Sequence, residues 1–85
     1  MRRDGAFTRQ QRIETVWRYL LKLKNRFGSP LPRAKAFALI QIETGLRAER
    51  IEEYLQIRVD AGLITVTSEW IAFNEELLAL MEVKE

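Results

Sequence analysis

The sequence predicts a mainly α-helical domain with a small β-hairpin, and three observations carry that expectation. Apolar residues recur at helical spacing over residues 9–26. Two further helical runs, about 33–44 and 47–61, meet at a single glycine, Gly45. After Gly62, "LITVT" and "EWIAF" are rich in β-branched and aromatic residues, the chemistry of short strands.

Each element has its own signals. Residues 1–7 read as a flexible basic arm carrying Arg2 and Arg3. Thr8 stands where a helix cap is expected, with the first helix following over about 9–26. Its predicted buried stripe is Ile13, Val16, Trp17, Leu20, Leu23 and Phe27. On the other side Arg18, Lys22 and Arg26 follow at four-residue steps and line up as one cationic ridge. A solvated face is the ordinary meaning of such a ridge. "FGSPLPR", residues 27–33, breaks the helix with one glycine and two prolines, and Pro32 fits the first turn of a second helix. That second helix is apolar around most of its circumference, through Ala34, Phe37, Ala38, Leu39, Ile40 and Ile42. Burial on several sides, or surplus apolar surface meeting a partner, follows from this pattern.

Gly45 supplies the turn, since a positive φ costs little only for glycine. The third helix should bury Ile51, Tyr54, Leu55 and one of Ile57 and Val59, and should end at Gly62. A tight link around Ser68 joins the two strands into a hairpin. Asn74 then caps a last helix, "EELLALMEVK", whose Glu75 and Glu76 suit the positive end of the helix dipole. Leu77, Leu80 and Met81 share a face of it, with Leu78 alongside. Two readings stand for these four: a dimerisation seam, or packing back onto the first helix.

Composition narrows the function. Eighty-five residues make one domain with a small core, which self-association can support. The chain has no cysteine and no histidine. That excludes disulfides and thiolate metal sites, and it removes the usual nucleophiles, proton shuttles and transition-metal ligands. No Gly-rich phosphate loop or paired-carboxylate motif stands out, so the expectation is a protein that is not an enzyme and uses no cofactor or metal. The longest apolar run, "AFALI", is far short of the roughly 20 residues of a membrane span, and no signal-peptide pattern follows Met1, so a soluble cytoplasmic protein is expected.

Net charge is +2, unevenly spread. Residues 1–35 hold ten Lys/Arg against two acids, and residues 36–85 hold four against ten. The two halves either neutralise each other in the fold or form one electropositive face backed by an acidic one.

The order helix, break, helix, tight turn, helix, hairpin, helix resembles the winged helix-turn-helix family over residues 8–73, with 74–85 as an appended C-terminal helix. "SPLPRAKAFALIQIETGL" is similar to the segment that enters and leaves the second helix of such domains, and "RIEEYLQIRVDAGLI" to their recognition helix running into the wing. Ile40, Gly45, Leu46, Ile51 and Tyr54 sit where that family places an apolar residue, the turn glycine and three apolar contacts. Gln41 and Arg58 depart from the pattern, standing where a small residue and a buried leucine are usual. For Arg58 the expectation is a stem packed on Trp70 or Phe73, or an ion pair with an acid such as Glu69 or Glu75.

The resemblance implies a compact prokaryotic, plasmid or viral regulator that binds double-stranded DNA, as a homodimer whose paired footprint sets a half-site spacing. Implied contacts are Arg47, Glu49, Arg50 and Glu53 at the start of the third helix, Arg33 and Lys35 at the start of the second, and Arg2, Arg3 and Arg9 before them. Arginine reads guanine through paired hydrogen bonds and glutamate accepts from the cytosine amino group, so a mixed Arg/Glu surface is compatible with reading bases. The hairpin "TVTSEW" lacks any Lys or Arg, and Glu49, Glu52, Glu53 and Asp60 make the third helix acidic. Those features favour the alternative, a winged-helix module that binds a protein partner on its acidic face and no DNA.

Overall fold

The computed structural model describes residues 5–83. The basic positions Arg2 and Arg3 therefore lie outside the described residues. Helix α1 spans Gly5–Phe27. It starts three residues before the expected Thr8 cap, which falls inside the helix. Its buried stripe is Ile13, Val16 and Leu20, with Trp17 and Leu23 half-covered at the margin. Phe27, expected to be buried, is exposed instead, because the end of α1 runs past the core it covers.

The proline-rich break contains a strand that sequence reading did not anticipate. Leu31–Pro32 forms β1, paired antiparallel with the later strand β3 (Trp70–Phe73) in the register Leu31↔Ile71 and Pro32↔Trp70. The Arg33 amide donates to the Glu69 carbonyl at 2.9 Å and prolongs this contact into the start of α2 (Arg33–Thr44). Pro32 is the cap residue of α2, with φ −63° and extended ψ, and its missing N–H costs nothing there.

α2 buries Ala36, Phe37 and Ile40 and leaves Ile42 outside. It ends at Gly45, whose φ of +76° is the left-handed conformation the turn requires. The Gly45 amide donates to the Gln41 carbonyl at 2.7 Å. Thr44 braces the same turn: its hydroxyl donates to the Ile40 carbonyl and accepts from the Leu46 amide. Helix α3 (Ala48–Asp60) follows, burying Ile51, Tyr54 and Leu55; Val59 is half-buried and Ile57 is exposed.

Gly62 turns the chain into β2 (Ile64–Val66), which pairs with β3 as Ile64↔Phe73, Thr65↔Ala72 and Val66↔Ile71. The three strands form one antiparallel sheet in the order β1-β3-β2. Alternation along β3 sends Ile71 and Phe73 inward and Trp70 and Ala72 outward. Asn74 caps helix α4 (Glu75–Val83) as expected, its side-chain oxygen accepting from the Leu77 amide and its amide nitrogen donating to the Gly62 carbonyl. Lys24 and Glu75, 3.0 Å apart, tie α4 to α1. The molecule is thus mainly helical with a small antiparallel sheet, its described helices α1, α2 and α3 enclosing Val16, Leu20, Ile40, Ile51 and Leu55 above Ile71 of the sheet. Among the described residues, no helix is long and apolar enough to cross a membrane.

Candidate nucleic-acid interface

The surface that opens at the α2–α3 turn is built from the first turns of α3. Arg47 is the cap residue, in extended conformation, and its carbonyl accepts from the amides of Arg50 and Ile51. The side chains of Arg47, Glu49 and Arg50 are therefore thrown outward around a shallow concavity that Gly45, Leu46 and Glu53 complete. Arg50 reaches Glu53 at 3.0 Å, one turn on. Both partners are exposed, so the pair holds little energy and opens readily to a competing anion. Arg47 and Glu49 form no ion pair among the described residues.

The start of α2 does not present its two cations together. Arg33 turns toward α3, stacks on the Phe37 ring at 4.5 Å and pairs with Glu52 at 3.4 Å. Its side chain is largely covered, and Nε has no partner. Lys35, two residues on, lies on the opposite flank of the helix in an apolar hollow with Leu23, Phe27 and Leu39. A two-residue step turns a helix by about 200°, which separates them. The helical period already implied that separation.

Arg12 takes the place beside the turn. It lines a cleft with Thr15, Tyr19, Glu43, Thr44 and Leu46, so the amino-terminal half of α1 abuts the turn that launches α3. Arg9 is exposed one turn earlier on the same helix. Sequence reading did not single out Arg12, although its three-residue step from Arg9 was a usable signal. In the same cleft the Glu43 carboxylate accepts a hydrogen bond from the Tyr19 phenol and raises its pKa above 10.0, first through that bond and then through its charge.

Arg58 shows where a cation can go when it is not available to a ligand. Its guanidinium lies over the Trp17 ring at 4.9 Å and bonds Glu14 at 3.2 Å. Both partners belong to α1, not to the hairpin or α4 as expected, because α3 crosses α1 at this level. The expected stem packing on Trp70 or Phe73 is replaced by a covered stack on Trp17.

At the hairpin, the Thr67 hydroxyl accepts from the Glu69 and Trp70 amides and closes a tight link. The hairpin carries Glu69 and no cation. Among the described residues no cluster of acids is arranged to hold a metal ion. No family model matches this chain, and neither a curated protein nor a solved structure is found to match it.

Proposed function

We propose that the chain is a winged helix-turn-helix protein that binds duplex DNA as a homodimer and regulates transcription. In this reading α2, the Gly45 turn and α3 are the helix-turn-helix, and the β2–β3 hairpin is a short wing. The observation that carries it is the outward-facing first turn of α3, where Arg47 and Arg50 flank Glu49 beside the turn. A helix presented in this way enters a major groove by its first turns, while Glu52 and Asp60 point away from the duplex. Arg47 and Arg50 then read guanine or hold phosphate, and Glu49 accepts from a cytosine amino group. Arg12 and Arg9 contact the backbone beside the turn. Arg33 serves as a brace between α2 and α3, and the cation-free hairpin adds no minor-groove grip. In this reading the chain acts by binding and not by catalysis, and its lack of cysteine and histidine is compatible with that.

Anisotropy titrations on a labelled duplex at several salt concentrations test this directly. The expected result is binding at low salt that weakens on salt addition, with log K falling by about 0.9 per log unit of salt for each phosphate neutralised. Absent binding at low salt, or binding indifferent to salt, would falsify the DNA reading.

A second reading rests on the hairpin, where Trp70 is 46% exposed beside Glu69. A half-exposed tryptophan on an uncharged or acidic edge suits a protein surface better than a polyanion. One stoichiometric protein partner in a pull-down, lost in Trp70→Ala, together with no DNA affinity, supports that reading instead.

A further inference from the structure

The concave surface beside the α2–α3 turn continues along α1. Leu46 lines both the concavity of Arg47 and Arg50 and the cleft that holds Arg12, so the two adjoin. Tyr19 and Glu43 line both that cleft and a groove of about 680 Å³ between α1 and α2, whose walls include Lys22, Arg26, Leu39 and Ile42. Three depressions therefore adjoin in series, leading from the first turn of α3 toward the carboxy-terminal end of α1.

Helix geometry explains the α1 wall. Arg12, Tyr19 and Arg26 follow at seven-residue steps, about two turns each, so they line up on one face, and Lys22 stands one turn from Tyr19 on the same side. From Arg12 to Arg26 the stripe runs about 21 Å along the helix axis. Arg12, Lys22 and Arg26 are exposed and form no ion pair among the described residues. The one acid of α1, Glu14, is engaged elsewhere by Arg58. Lys22 lies over the Tyr19 ring at 5.3 Å, and the Tyr19 phenol donates to Glu43. The acids of the series are Glu43, Glu49 and Glu53; Tyr19 occupies the first and Arg50 the last. Leu39 and Ile42 on the facing wall bring no charge to oppose a phosphate.

A small anion needs cations that converge on one point, whereas these are strung along a line. A phosphate backbone, whose charges also recur along a line, is the ligand that such a row fits. We propose that the duplex engaged by Arg47 and Arg50 continues past Arg12 along this face of α1, where Lys22 and Arg26 hold phosphates beyond the base-reading turn. The inference rests on the DNA-binding reading and enlarges its footprint. Contacts of this kind fix position and carry no sequence preference.

The test is anisotropy titration of the full chain over a range of salt, on two duplexes of about 30 base pairs and unrelated sequence. Lys22→Gln and Arg26→Gln are each expected to lower the slope of log K against log salt by about 0.9 for every copy of the chain bound, on both duplexes and with unchanged circular dichroism. Lys24→Gln is the control, because Lys24 leaves this face to pair with Glu75 of α4, and its slope is expected to match wild type. Unchanged slopes in Lys22→Gln and Arg26→Gln, beside lowered slopes in Arg47→Gln and Arg50→Gln, overturn the extension and leave DNA recognition by α3 standing. Lowered slopes in the α1 variants alone leave the α1 track standing and overturn the role of α3. An equal fall in Lys24→Gln overturns the extension, since net charge alone then sets the slope. A wild-type chain that binds neither duplex overturns both.

Discussion

At its first turn α3 leaves Arg47 and Arg50 in water, and among the described residues Arg50 pairs with Glu53 alone; two turns later the same helix lays Arg58 over Trp17 and against Glu14. The residue type is the same and the physical task is opposite. Arg58 is 16% exposed, its stem and guanidinium fill space that α1 and α3 share, and its Nε is buried without a partner. Arg50 fills no space in the core. An arginine that replaces an apolar contact contributes by packing, whereas one left outside contributes only when an anion arrives. Charge counts along the chain do not separate these cases, and helix crossing does.

The contrast can be broken most severely at the covered end. Arg58→Ala removes the stack on Trp17, the packing of the stem and the contact with Glu14, and urea unfolding is expected to show a loss of about 1–3 kcal/mol. Arg58→Leu, which restores volume without the unpartnered Nε, is expected to stay within about 1 kcal/mol of wild type. If Arg58→Ala unfolds at the wild-type midpoint, the stack is idle and the contrast fails.

At the open end the signature is reversed. Arg47→Ala and Arg50→Ala should leave unfolding within about 0.5 kcal/mol of wild type, as surface changes do. Each is expected to weaken duplex binding by about 1–3 kcal/mol where it reads a base. Equal losses of stability and affinity in either variant would place that arginine with Arg58.

The smallest effect concerns Tyr19. Glu43 raises its phenol pKa in the folded chain, so the neutral phenol is favoured by folding. That contribution is fully present below the ordinary value of 10.0 and fades as pH rises through the higher folded value. Ultraviolet titration of the phenolate band is expected to show a late-ionising tyrosine that Glu43→Gln brings back toward the ordinary range. An unchanged titration would remove Glu43 as the cause.

Much of the architecture was legible because local rules and tertiary packing agree. The break at "FGSPLPR", the left-handed Gly45, the Asn74 cap and the strand chemistry of "EWIAF" each have a local cause that the fold leaves in place. Strand β1 was not legible. Leu31 and Pro32 carry no periodicity, and their pairing depends on Trp70 and Ile71 some forty residues away. Phe27 belonged to the correct helical stripe, but a stripe does not tell where the core beneath it stops. Of the four apolar residues of α4 proposed as a seam, Leu77 and Leu78 turn inward and Leu80 and Met81 remain outside. The expected DNA-contact residues divide in the same way: Arg47, Glu49 and Arg50 share a surface, Arg33 is held by Phe37 and Glu52, and Lys35 lies in the apolar hollow with Leu23, Phe27 and Leu39.

Residue order alone determined where helices begin to be possible, where they must stop, and that no cysteine or histidine chemistry is available, because these depend on side-chain identity and neighbours within a few positions. Only the tertiary structure decided which of the described Lys and Arg side chains stay open to a ligand. An arginine is committed by the ring or carboxylate it meets, and for Arg58 that carboxylate is Glu14, forty-four positions back along the chain. Partners so distant are chosen by how the helices cross.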